Sequence, residues 1–142
     1  MNITVLSRER LFAAAAKEDF RDCLIISFYD EDRPDVQGIF PKANVFQYEV
    51  RDIDHEELSA FGLSYEDYWP GAKEIAGLDL QKYPRIICQC ECGESRSAGC
   101  AAALAEFFDH SGINYFSDYN LYPSKLIYHR LMDELNKAKM AS

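Results

Sequence analysis

Two spacings organise the apolar residues of this chain. Ile3 to Leu6 reads as a short strand, and Ser7 is placed to cap a helix that runs through Leu11 to Lys17. Cys23 to Phe28 is an apolar run, suited to a strand buried on both faces. Asp30 to Pro34 is polar and turn-like. Phe46, Tyr48 and Val50 then alternate with Gln47, Glu49 and Arg51, the pattern of a half-buried strand. An acidic loop follows from Asp52 to Glu57. Asp67 is placed to cap a helix that starts near Tyr68, with Pro70 in its first turn. Ile86 to Cys90 predicts a central strand. Ala98, Ala101, Ala102, Ala105 and Phe108 fall on one face of the next helix. Pro123 opens a last helix, with Ile127, Leu131 and Leu135 on one side.

Strands alternating with helices predict an α/β fold, a small layered domain whose central sheet is mostly parallel and flanked by helices. At 142 residues the expectation is a single domain spanning 1–142. Hydrophobic content of 48% and charged content of 27% are ordinary for a globular chain. The net charge of −9 argues against nucleic-acid and anionic-membrane partners, and makes phosphoinositides poor candidates. No apolar run approaches the roughly 20 residues of a membrane-spanning helix. The stretch from Met1 to Leu6 lacks a signal-peptide layout. Five cysteines, an odd number, argue against a disulfide framework and make a reducing cytoplasm the expected location. Oligomeric state is not legible.

The chemistry concentrates between the strand ending at Cys90 and the alanine-rich helix. There the chain reads Cys90-Glu91-Cys92-Gly93-Glu94-Ser95-Arg96-Ser97. Five residues separate cysteine from arginine, enough for a tight loop that folds its N–H groups inward. Together with the N-terminus of the following helix these form an anion cradle. The same positive surroundings favour the Cys90 thiolate. The Arg96 fork matches two phosphate oxygens. A metal reading of Cys88, Cys90 and Cys92 is weaker, because no Cys-x-x-Cys pair is present and His55, His110 and His129 are not in ligand spacing. Cys88 and Cys100 read as packed core thiols. Cys92 reads as an incidental small residue, with a reversible oxidation partner of Cys90 as the alternative.

This stretch resembles the signature loop of the protein tyrosine phosphatase superfamily, and best its dual-specificity branch, Cys-x-x-Gly-x-Ser-Arg-Ser. Cys90, Gly93, Ser95, Arg96 and Ser97 fill all five fixed positions. Gln89 departs from the superfamily, which usually has His before the nucleophile. Glu91 and Glu94 add negative charge beside a site for a dianion. The resemblance implies a dual-specificity phosphatase-like fold and a loop, Glu91, Cys92, Gly93, Glu94, Ser95 and Arg96, that binds the phosphate. It also implies Cys90 as nucleophile, Ser97 as donor to the departing sulfur, and an upstream Asp as general acid. Asp52 is the first candidate, 38 positions before Cys90 and in phase with the preceding strand, and Asp54 is the second. Trp69-Pro70-Gly71 is similar to the Trp-Pro-Asp loop of tyrosine-specific phosphatases, but Gly71 stands where the acid would be, so the similarity reads as coincidence. The implied activity is metal-independent and cofactor-free hydrolysis of a phosphate monoester through a phosphocysteine. The substrate would be a phosphorylated protein, with phosphotyrosine first, or a small phosphate ester. A weakly active or inactive module that binds phosphorylated ligands is the alternative.

Overall fold

The computed structural model describes residues 1–141. Four strands form one all-parallel sheet: β1 (Ile3–Ser7), β2 (Leu24–Tyr29), β3 (Asn44–Glu49) and β4 (Ile86–Cys90), in the order β1-β4-β2-β3. The parallel layout expected from the sequence is therefore present, with β4 inside the sheet. Each connection between strands carries helix: α1 (Arg8–Ala14), the short turn α2 (Val36–Ile39), and α3 (Tyr65–Tyr68) with α4 (Ala72–Ala76). Beyond β4 come α5 (Arg96–Asp109), α6 (Ile113–Phe116) and α7 (Lys125–Ala141).

Strand alternation divides the core between the two sheet faces. Leu24, Ile26 and Phe28 of β2 and Ile86, Cys88 and Cys90 of β4 pack toward α4, α5 and α7. Ile25 and Ile87 face the other way, onto Leu11 of α1 and Val36 of α2. Phe46 and Tyr48 on the edge strand β3 are only partly buried, as their alternation with polar residues predicts. Arg96 to Ala105 of α5 are all buried, because sheet, α6 and α7 surround that helix. Small side chains permit this. A Cβ at Gly99 would stand 2.5 Å from the Ser124 carbonyl oxygen, so glycine is what lets the start of α7 lie against α5.

Several elements differ from the sequence reading. Ser7 does cap α1, accepting from the Arg10 amide at 3.1 Å, but the helix ends at Ala14 and Ala15 to Lys17 form turns. Ser64, not Asp67, caps the helix before Trp69, by accepting from the Asp67 amide at 3.2 Å. That helix stops at Tyr68, and Pro70 lies in the break before α4. Ser64 wins because its position leaves Asp67 in the first turn, where an acid suits the positive helix end. The acidic loop contains two short 3₁₀ turns, His55–Glu57 and Ser59–Phe61. The last helix begins at Lys125, with the Ser124 hydroxyl accepting from the Ile127 amide at 3.1 Å, and Pro123 just precedes it.

Gly99→Ala forces a methyl into backbone that cannot swing aside. We expect a loss of about 1–3 kcal/mol, seen as a lower urea midpoint with an unchanged slope.

Candidate active site

Cys90 ends β4, and α5 begins at Arg96, so residues 91–95 form the loop between them at the carboxyl end of the sheet. Ligand sites of parallel α/β sheets lie at that end. The loop is clamped through its carbonyls. The Arg8 amide donates to Glu91 O (3.2 Å), the Tyr122 amide to Glu94 O (2.7 Å), and the Ser124 and Gly99 amides to Ser95 O (3.0 and 2.8 Å). These three carbonyls are occupied, and the amides are left over. Among the described residues, the N–H groups of Cys92, Gly93, Glu94 and Ser95 donate to no other residue. The first-turn amides of α5 adjoin them, as at any helix start. Gly93 is required here twice over. Its φ is +71°, and a Cβ would stand 2.5 Å from the Ser7 amide nitrogen.

Arg96 is 4% exposed, and one of its terminal nitrogens donates to Asp30 Oδ1 (2.9 Å) and to Val50 O (2.7 Å). Its Nε is buried with no partner among the described residues. A buried guanidinium N–H without an acceptor is uncommon and costly, and an anion in the loop would supply one. Asp30 follows β2 directly, and Val50 follows β3, so two strand ends hold the arginine fork. The sequence reading passed over Asp30 as part of a turn. The signal was its place just past a buried parallel strand.

Cys90 is 2% exposed, and its Sγ lies 3.1 Å from the buried Ser97 hydroxyl. If the sulfur is a thiolate, Ser97 is the donor. Beneath it, Cys88 and Cys100 complete a group of three buried sulfurs. Burial pushes the Cys100 thiol well above its usual pKa, and Cys88 and then Cys90 push it further, so Cys100 is neutral. Cys92 is exposed in the loop. Gln89 points to the opposite face, where the Ser27 hydroxyl donates to its carbonyl, while its own amide donates to Cys90 O at 3.1 Å. Glu91 and Glu94 are both exposed, with Glu91 3.6 Å from Arg8.

Asp52 comes to the rim of the loop, where its Oδ1 accepts from the Ser95 hydroxyl at 2.7 Å. β3 ends at Glu49, so strand phase does not set this position. The Tyr68 hydroxyl holds the segment by donating to Arg51 O. Burial raises the Tyr68 pKa, the nearby Asp52 charge raises it further, and Arg96 lowers it, so the phenol keeps its proton. Asp54 is turned to a different task. With Glu57 it forms a reciprocal cap on the first 3₁₀ turn. Trp69 is core, 1% exposed and edge-on to Phe28 and Tyr48.

The structure thus brings Cys90, Ser97, Arg96, Ser95 and Asp52 around one loop. Gly93→Ala would strain the left-handed turn and collide with β1 backbone. We expect about 1–3 kcal/mol of strain in the loop, read as roughly ten- to hundred-fold weaker vanadate binding by calorimetry, with the circular dichroism of the sheet and helices retained.

The fold is shared with known structures. The Cydia pomonella PTP-2 phosphatase superposes with a TM-score of 0.57 at 14% identity, over 94% of this chain and 85% of that one. Human DUSP28 gives 0.53 at 16% identity, over 99% and 95%. PTPMT1 in complex with PI(5)P gives 0.52 at 13%, over 99% and 94%. No protein-family model matches the chain, and no curated protein matches it by sequence. At these identities the likeness concerns architecture: the chain has a fold like that of protein tyrosine and dual-specificity phosphatases.

Proposed function

We propose that a chain with this fold is a cysteine-dependent phosphatase acting on phosphate monoesters. The observation that carries the reading is the unpartnered Nε of Arg96, at the start of α5, together with four unpartnered amides in the loop just before it and a cysteine held by a serine hydroxyl at the loop's other end. Neutral ligands offer that set of donors weaker acceptors and no charge, whereas a phosphate monoester supplies several acceptor oxygens and negative charge.

In the proposed reaction, loop amides and Arg96 hold the phosphoryl group. The Cys90 thiolate attacks phosphorus, and the bond to the ester oxygen breaks. Asp52, protonated, gives its proton to that oxygen. The released carboxylate then takes a proton from water, which attacks the phosphocysteine and expels the thiolate. Ser97 donates to the sulfur as its charge returns. Charge on the transferring group is met by Arg96 and backbone dipoles. Asp30 and Val50 O fix the fork that does so, and Tyr68 fixes the segment carrying Asp52.

A phosphorylated protein residue fits this surface better than a phosphoinositide such as the one held by PTPMT1. Asp30, Glu31, Asp32 and Glu91 line the space beside the loop, and they would repel a lipid head group with further phosphates. A module that binds phosphorylated ligands without turnover keeps the same anion contacts, and kinetics separates the two.

The reduced protein is expected to hydrolyse an aryl phosphate in mildly acidic buffer without added metal. Cys90→Ser should abolish turnover while vanadate still binds. Asp52→Asn should lower kcat about 10²-fold or more. Vanadate binding with no turnover by the native protein would favour the binding module, and absence of both would overturn the site.

Tyr68→Phe removes only the hydroxyl that anchors Arg51 O. We expect kcat to fall about three- to tenfold, the range of one lost hydrogen bond, with KM nearly unchanged. A rise in KM with kcat unchanged would mean that Tyr68 acts on binding instead.

A further inference from the structure

The phosphate chemistry leaves one conspicuous feature unused, the cleft that starts at Asp52 and Ser95 and runs away from the loop. It has a volume of about 610 Å³. Asp54, Glu56 and Glu57 of the 3₁₀ turn line it together with Asp52, and so do Phe116, Tyr122 and the exposed Lys125. Tyr122 is 70% exposed and Phe116 37% exposed. Neither is on a loose segment. The Tyr122 amide is bonded to Glu94 O in the phosphate loop (2.7 Å), and the Phe116 ring stands edge-on to Tyr128 with centroids 5.2 Å apart. The 3₁₀ turn is also shaped, by the reciprocal cap between Asp54 and Glu57. Glu56 makes no hydrogen bond or ion pair with any described residue.

Four carboxylates, Asp52, Asp54, Glu56 and Glu57, against the single ammonium of Lys125, together with exposed aromatic rings, suit one kind of side chain. The stem of a lysine or arginine lies along an aromatic surface, its cation is attracted to the ring face, and its head pairs with a carboxylate. The loop next door is built for an anion, with the Arg96 Nε lacking an acceptor. We propose that the cleft is a specificity subsite that receives a basic residue flanking the phosphorylated residue of a protein substrate. This deepens the phosphatase reading above and rests on it. The net charge of −9 works in the same direction by attracting cationic substrates from a distance, but it does not choose a position along the peptide.

The test uses the full chain and matched peptide pairs, for phosphotyrosine and for phosphothreonine, in which Arg or Lys replaces Glu on either side of the phosphorylated residue. An aryl phosphate serves as the reference for each variant. Basic peptides are expected to show about tenfold higher kcat/KM than their acidic twins. The gap should shrink at about 0.5 M salt. Glu56→Lys should remove most of the gap and Tyr122→Ala should narrow it, each normalised to its own aryl phosphate rate. Equal turnover of basic and acidic peptides, with the aryl phosphate cleaved, overturns the subsite and leaves the phosphatase reading standing. A preference that survives both substitutions also overturns it, since overall charge would then be the source. No cleavage of any substrate overturns the underlying reading and the subsite together.

Discussion

The loop between Cys90 and Arg96 can present amides because three of its five carbonyls, those of Glu91, Glu94 and Ser95, are already bonded elsewhere. Three separate parts of the chain provide the donors: the start of α1, the segment before α7, and α5 itself. A five-residue loop free to choose would turn some of its carbonyls inward and fill the cradle with acceptors. The contact of Gly93 with Ser7 backbone has the same effect from below, since it fixes the depth at which the loop rests on β1. Much of the surrounding structure serves this arrangement. The close approach at Gly99 brings Ser124 to the loop, and the parallel pairing of β1 with β4 brings Arg8 to it.

Arg96 is the second element under constraint. A buried guanidinium is tolerable only with partners, and Asp30 and Val50 O supply them from two strand ends. Asp30 is largely exposed, so its charge is partly screened by water while its geometry still orients the fork. The sulfur group below is the opposite case. Cys100, kept neutral by burial, places no negative charge under Cys90 and leaves the loop dipoles uncancelled.

What was legible in the sequence was local. The periodic runs of β2, β4 and α5 and the spacing of Cys90, Gly93, Ser95, Arg96 and Ser97 are contained within short windows, where a pattern has direct physical meaning. The helix before Trp69 starts a few residues earlier than its sequence suggests, because neighbouring polar residues compete for the cap, as Ser64 and Asp67 do, and α1 ends at Ala14, short of Lys17. What escaped were contacts set by strand register. Asp30 meets Arg96 across 66 positions, and Tyr68 reaches Arg51 across 17. The one local mark of Asp30 is its place just past a buried strand, and its partner becomes apparent when β2 is laid beside β4. Strand phase points to Asp52, but the strand ends at Glu49 and Tyr68 holds the segment instead.

Gln89 carries a consequence of its own. It lies on the side of β4 away from the Cys90 sulfur, sealed against Ser27 and bonded to the Cys90 carbonyl. An amide gains and loses no proton across the physiological range, whereas an imidazole in the same place would change charge within it. The face of β4 turned away from the Cys90 sulfur therefore keeps one charge state where Ser27 meets Gln89, since neither side chain ionises in that range.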